Sequence, residues 1–119
     1  MTPDEFESYV RGGQSLAGQT LQELDLSGRS LLGAKLGGAR LMRVNLENAD
    51  LTGADLERAS LVSCNLKGAR LREARFEGAQ FLSCDLPGAD LSGVTLTHCL
   101  FAGASDLRGS RRSKSAGIE

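Results

Sequence analysis

Residues 49–58, Ala49-Asp50-Leu51-Thr52-Gly53-Ala54-Asp55-Leu56-Glu57-Arg58, hold two successive copies of one five-residue unit. Each copy has a small residue, a polar residue, a leucine and two residues suited to a turn. Extending the count in both directions, every fifth residue from Leu16 to Phe101 is Leu or Phe, eighteen in succession. Two places before each of these, positions 34 to 99 hold only Ala, Val or Cys, and Gly often follows two places after. A period of five fits neither a 3.6-residue helix nor a two-residue strand sustained over this length. Two inward residues flanking one outward residue describe a very short strand, and the next two residues turn the chain. Repeated, this path coils around a narrow core of Leu with small residues beside it.

The number of sides per coil follows from which residues would stack. Equal positions in adjacent coils lie about 4.8 Å apart, as in parallel strands, and therefore touch. A twenty-residue coil gathers the larger residues of the small position into one column, Leu24, Val44, Cys64 and Cys84. It also gathers the apolar residues that follow the central Leu or Phe: Met42, Val62, Leu82 and Ala102. A fifteen-residue coil scatters both sets and puts Met42 over Glu57 and Arg72. Charge alternation, as in Lys35-Asp55-Arg75 and Asp50-Arg70-Asp90, is compatible with either length. Apolar sorting selects four sides.

The unit in its clearest copies, Ala49-Asp50-Leu51-Thr52-Gly53 and Ala89-Asp90-Leu91-Ser92-Gly93, resembles the pentapeptide repeat family. The resemblance implies an all-β solenoid, a right-handed quadrilateral β-helix with four pentapeptides per coil and about 4–5 coils over residues 14–105. Copies before residue 30 depart from the pattern, with Gln14, Gln19, Leu24 and Arg29 at the small position.

The chain ends read differently. Residues 1–13 form a predicted capping helix: Thr2 is the N-cap, Pro3 the first helical residue, and Glu5 completes a capping box. Phe6, Tyr9 and Val10 share one face, and Gly12-Gly13 stop the helix. So short a helix is marginal alone, so its apolar face is expected to cover the open first coil. After Phe101 the frame fails, with Asp106 where an apolar residue is due. Residues 106–119 read as a disordered basic tail carrying Arg108, Arg111, Arg112 and Lys114.

Composition narrows the function. Fourteen basic and fifteen acidic residues nearly cancel, so nothing global points to nucleic acid or an anionic membrane. The acidic start lacks a signal-peptide core, and no apolar run approaches the roughly 20 residues that span a bilayer. Three cysteines, an odd number, fit a reducing compartment, and a bacterial, cytoplasmic protein is expected. Cys64 and Cys84 are stacked, but in the inward slot they read as small hydrophobes. A single His, His98, with three Cys makes no convincing zinc site. No nucleophile and base recur at a matched place, and no cofactor motif is present. The expectation is a protein with no enzymatic activity, no metal and no cofactor.

What remains is surface. Met42, Val62, Leu82 and Ala102 form an outward apolar stripe on one side, with Leu100 beside it, and a contiguous stripe often marks an interface. This stripe is the candidate partner-binding surface. Leu100, Phe101 and Leu107 are the candidate residues for end-to-end contact, since the resemblance implies dimerisation through C-terminal coils. The leading expectation is a protein-interaction scaffold, with a homodimer through the C-terminal coil or apolar side as one form. The family resemblance also implies an alternative, an acidic DNA mimic that regulates a DNA-binding enzyme such as DNA gyrase. Against it, residues 1–105 carry ten basic and thirteen acidic side chains, and Arg70, Arg72 and Arg75 interrupt any acidic face.

Overall fold

The computed structural model describes residues 1–103 together with Arg111 and Arg112. Helix α1 (Pro3–Arg11) is followed by three-residue strands β1 (Thr20–Gln22), β2 (Arg40–Met42), β3 (Ser60–Val62) and β4 (Gln80–Leu82). Strands β5 (Asp90–Leu91), β6 (Leu100–Ala102) and β7 (Arg111–Arg112) complete the elements. The parallel sheet β1-β2-β3-β4-β6 forms side one of a four-sided solenoid. Its register, Leu21↔Leu41↔Leu61↔Phe81↔Phe101, is the twenty-residue spacing expected from apolar sorting. Single parallel bridges join the coils elsewhere: Asp25↔Asn45 on side two, Ser30↔Asp50 on side three and Ser15↔Lys35 on side four.

Each pentapeptide builds one side by the same local means. The central residue donates to the next coil, as Leu46 N–H does to Asn65 O at 2.7 Å, and the preceding residue donates to the previous coil, as Asn65 N–H does to Val44 O at 3.2 Å. The chain then turns through a residue of positive φ. Every fifth residue from Gly13 to Gly103 has this conformation, eleven of them Gly and eight of them other residues, Glu23, Arg43 and Asn48 among them. On sides two to four a bond such as Ala49 N–H to Leu46 O (3.0 Å) closes the corner. The corner leaving side one is a bend without that bond, while its positive-φ residue still donates to the next coil, as Arg43 N–H does to Val62 O at 2.9 Å, like Asn48 N–H to Lys67 O at 2.9 Å on side two. The column of larger inward residues, Leu24, Val44, Cys64 and Cys84, lies directly after this open corner.

The Leu and Phe stack fills the interior. Leu26, Leu31, Leu51, Leu61, Leu66, Leu71, Phe81, Leu86, Leu91 and Leu96 are fully buried, and the Ala, Val and Cys slots pack beside them. Towards the C-terminal end the core becomes aromatic. Phe81 is tilted against Phe76 (5.2 Å between ring centres) and stacked on Phe101 (4.7 Å, 3°).

Helix α1 closes the other end. Thr2 and Glu5 form the predicted capping box, with Glu5 N–H on Thr2 Oγ1 (3.1 Å) and Thr2 N–H on Glu5 Oε1 (2.9 Å). These bonds from Thr2 lower the Glu5 carboxyl pKa. Phe6 and Val10 are buried in the common core, and Leu16, Leu21, Leu26 and Leu31 beneath them are buried too. The first coil is therefore regular despite its departures from the repeat. Gln14 and Gln19 stay exposed, Leu24 is half-buried, and Arg29 meets the helix.

One boundary needs correction. The disordered tail assigned to 106–119 does not hold at Arg111–Arg112, whose backbone pairs in parallel with Asp90–Leu91 as β7. The pairing offset is one residue longer than the twenty-residue coil, and it sets Arg112 opposite Leu91. The rest of that tail, with Leu107, lies outside the described residues.

Candidate interaction surface

Side one brings the predicted stripe together. Parallel pairing puts Met42 over Val62, Val62 over Leu82 and Leu82 over Ala102, all four half-buried. Leu100, in the outward column just before the central residue of the same side, is 46% exposed, and Phe101 is half-buried at the end of the stack. Gln22 extends the column above Met42, its amide nitrogen 3.9 Å from the Met42 sulfur. Leu107 lies outside the described residues, so the end-to-end set is placed only at Leu100 and Phe101.

The positions flanking this stripe are mild, as read from the sequence: Ser60, Ser63, Gln80 and Ser83, with Arg40 and Arg43 at one end. Below Arg43, side one carries no charged residue: its outward positions are Ser60, Val62 and Ser63, then Gln80, Leu82 and Ser83, then Leu100 and Ala102. Charges stand only at its upper end, where Arg43 binds Glu23 at 3.0 Å and Arg40 is exposed. The twenty-residue spacing contained this signal, since it needs only the outward residues written in columns.

The other sides are polar and locally compensated. Asp25, Asn45, Asp50, Asp55, Asn65 and Asp90 each accept the backbone N–H two residues on, at 3.0–3.1 Å. The polar residue of the repeat therefore braces its own corner. Asn45 and Asn65 stack in register, and each Oδ1 accepts from its own turn. The alternating charge ladders are present in register, yet the close ion pairs run diagonally, Arg72 to Asp90 (2.6 Å) and Arg75 to Glu57 (3.8 Å). Partial burial pushes the Asp90 carboxyl up, but the Ser92 hydroxyl, Arg72 and Ser92 N–H outweigh it and hold the pKa at about 2.

The groups that might carry chemistry are in core or turn positions. Cys64, Cys84 and Cys99 are buried, and their thiols donate to Leu41 O (3.3 Å), Leu61 O (3.2 Å) and Phe76 O (2.9 Å). The adjacent Cys84 and burial both push the Cys64 thiol up, away from the reactive thiolate. His98 is an exposed corner residue with φ 60°. A groove of about 330 Å³ lies against Glu57, Glu73, Arg75, Phe76 and Glu77. Among the described residues no cluster of His, Cys, Asp and Glu is placed to hold a metal, and no helix is long and apolar enough to cross a membrane.

The profile of pentapeptide repeats matches the chain in eight copies, over residues 20–58, 39–78, 64–103 and 74–111. The chain belongs to the pentapeptide repeat family. The match runs past residue 105, in agreement with the strand pairing at Arg111. No curated protein sequence matches the chain. Among solved structures it is similar to HetL, a pentapeptide repeat protein involved in heterocyst differentiation regulation in the cyanobacterium Nostoc sp. strain PCC 7120. That likeness is 30% identity over 83% of this chain and 46% of HetL, with a TM-score of 0.48, so the chain spans less than half of HetL. The pentapeptide repeat protein alr5209 from Nostoc PCC 7120 is 24% identical over 94% of this chain and 96% of its own, with a TM-score of 0.51. QnrB1, a plasmid-mediated fluoroquinolone resistance protein, is 19% identical over 85% of this chain and 65% of its own, with a TM-score of 0.33.

Proposed function

We propose that this pentapeptide repeat protein is a non-enzymatic interaction module that presents side one to a protein partner. The observation that carries the reading is the half-buried Met42-Val62-Leu82 column, which runs from between Arg40 and Arg43 into a charge-free area that ends at the exposed Leu100. Apolar side chains on a rigid sheet need no ordering on contact, so they lose little conformational entropy when a partner covers them. A reducing, cytoplasmic setting suits an odd number of buried cysteines. The acidic-mimic alternative finds less support. Lys67, Arg70, Arg72 and Arg75 all lie on the third coil between flanking acidic residues, which breaks a continuous negative surface.

The test is a lysate pull-down with the wild type beside a Met42→Asp/Val62→Asp/Leu82→Asp variant shown by circular dichroism to be folded. A protein captured by the wild type and lost from the variant is the expected result. Identical captures would remove side one from consideration and leave the C-terminal coil, at Leu100 and Phe101, as the place to look.

A further inference from the structure

We propose that side four, where its ladder opens between Arg75 and Thr95, is a docking groove for an extended basic peptide segment of a partner protein. Side four is bridged without interruption from Ser15 through Lys35 and Asp55 to Arg75. The step from Asp55 to Arg75 rests on a pair of bonds, Leu56 N–H to Arg75 O and Arg75 N–H to Ala54 O, both at 2.8 Å. From Arg75 to Thr95 both equivalent bonds are absent among the described residues. The same two coils stay joined on the other sides, by Leu61↔Phe81, Asn65↔Asp85 and Arg70↔Asp90. The bonds that flank the gap lengthen. Gly53 N–H meets Arg72 O at 2.8 Å, but Glu73 N–H meets Ser92 O at 3.1 Å. Arg58 N–H meets Glu77 O at 2.9 Å, but Gly78 N–H meets Thr97 O at 3.3 Å. The coils part here, where the core changes from Leu56 to Phe76.

The opening leaves two donors, Phe76 N–H and Thr95 N–H, and two acceptors, Ala74 O and Thr95 O, without a main-chain partner among the described residues. All four belong to residues that line the groove of about 330 Å³. Such a volume suits a short segment, not a folded domain. A peptide supplies one N–H and one C=O per residue. An extended chain laid in the groove therefore answers donors and acceptors together, as strand addition does at a sheet edge. A simple ion answers only one kind.

The side chains around the opening define the charge of that peptide. Glu57, Glu73 and Glu77 line the groove with Arg75, three carboxylates against one guanidinium. Arg75 is engaged by Glu57 at 3.8 Å, and neither Glu73 nor Glu77 has an ion pair among the described residues. Glu73 stands where the coils on either side have Gly53 and Gly93, at φ 58°, a conformation that costs an L-residue. Its Cγ lies 3.4 Å from the place a Cβ on Gly93 would take, so the side chain runs down over Gly93 on the groove wall. A lysine or arginine of the peptide meets Glu73 and Glu77 while its main chain meets the open ladder.

The probe is an acetylated, amidated Ala-Lys-Ala-Lys-Ala peptide titrated into the isotope-labelled full-length protein, with amide shifts as the readout. The largest shifts are expected at Phe76, Glu77 and Thr95. Glu73→Gln/Glu77→Gln should weaken binding about tenfold. Glu47→Gln/Asp85→Asn removes the same charge from side two and should bind as the wild type does. n-Butylamine, a lysine side chain without a main chain, should bind at least about tenfold more weakly than the peptide. No shift at millimolar peptide, or shifts centred on another side, would overturn the site. Equal weakening in both double variants would reduce the attraction to net charge and overturn the role of Glu73 and Glu77. Butylamine binding as tightly as the peptide would overturn the peptide as occupant. If Glu73→Gln/Glu77→Gln does not fold, the wild-type shift map decides: undisturbed Phe76 and Thr95 amides would overturn the groove.

Discussion

At the scale of single residues the repeat is governed by its corner. The second residue after each central Leu or Phe must take positive φ, and eight residues other than Gly do so. An L-residue there costs roughly 1–2 kcal/mol, while Gly costs about 0.5–1 kcal/mol through the freedom it has unfolded. Glu73, exposed with φ 58°, is a clear case. Glu73→Gly is expected to stabilise the protein and raise Tm by about 2–4 °C in a calorimetric scan; a lower Tm would mean that the side chain contributes more than its backbone costs. The polar position has its own consequence at Asp90. Its carboxyl is held at about 2 in the folded chain, below the ordinary aspartate value of about 3.9. A depressed carboxylate stabilises the fold fully above its unfolded pKa and loses that contribution as pH falls through the folded one. Asp90→Asn keeps an oxygen to accept Ser92 N–H, as Asn45 does for Glu47 at 3.0 Å, but cannot pair with Arg72. Its Tm should fall less steeply than the wild type's between about pH 4 and pH 2, and parallel curves would show that the Asp90 carboxylate contributes nothing to stability.

At the scale of the element, one coil is the cooperative unit. No three-residue strand is stable alone; each is held by the coils above and below and by the central stack. Leu61 is fully buried at the middle of that stack, between Leu41 and Phe81. Leu61→Asp would place a carboxylate where no charged partner lies within the core and would split the array into two short pieces. Thermal unfolding of this variant is expected to lose its cooperative transition, and a normal melt would contradict a single continuous core. The four corners of a coil are not equivalent either. The bend leaving side one is free of the bond that closes the other three, and Val44, Cys64 and Cys84 occupy the inward slot directly after it.

At the scale of the whole molecule, the four sides differ in what they offer a partner. Three are polar, with carboxylates engaged by their own turns and by diagonal arginines; one is apolar and, over its lower coils, uncharged. Contact through that side should persist in about 0.5 M salt, where the Debye length is only a few ångströms. A partner released by salt from the wild type would instead point to the charged sides. The two ends differ as well. Helix α1 and Arg29 close the first coil, whereas at the far end the ladder continues through β7 after one extra residue.

Much of this was legible from the chain alone. The unbroken Leu and Phe series, the sorting of Met42 with Val62 and Leu82, and the Thr2–Glu5 capping box each follow from short-range pattern and a single stacking rule. That is why four sides, the parallel register and the helix could be read without coordinates. Other features depend on where side chains end in space. Asn45 turns its side chain to its own corner, Arg70 yields Asp90 to Arg72, and Arg29 leaves the core to hold a helix more than twenty residues away in sequence. A repeat specifies its backbone because every copy imposes the same local geometry, whereas polar side chains choose among nearby partners whose distances exist only once the coils have stacked.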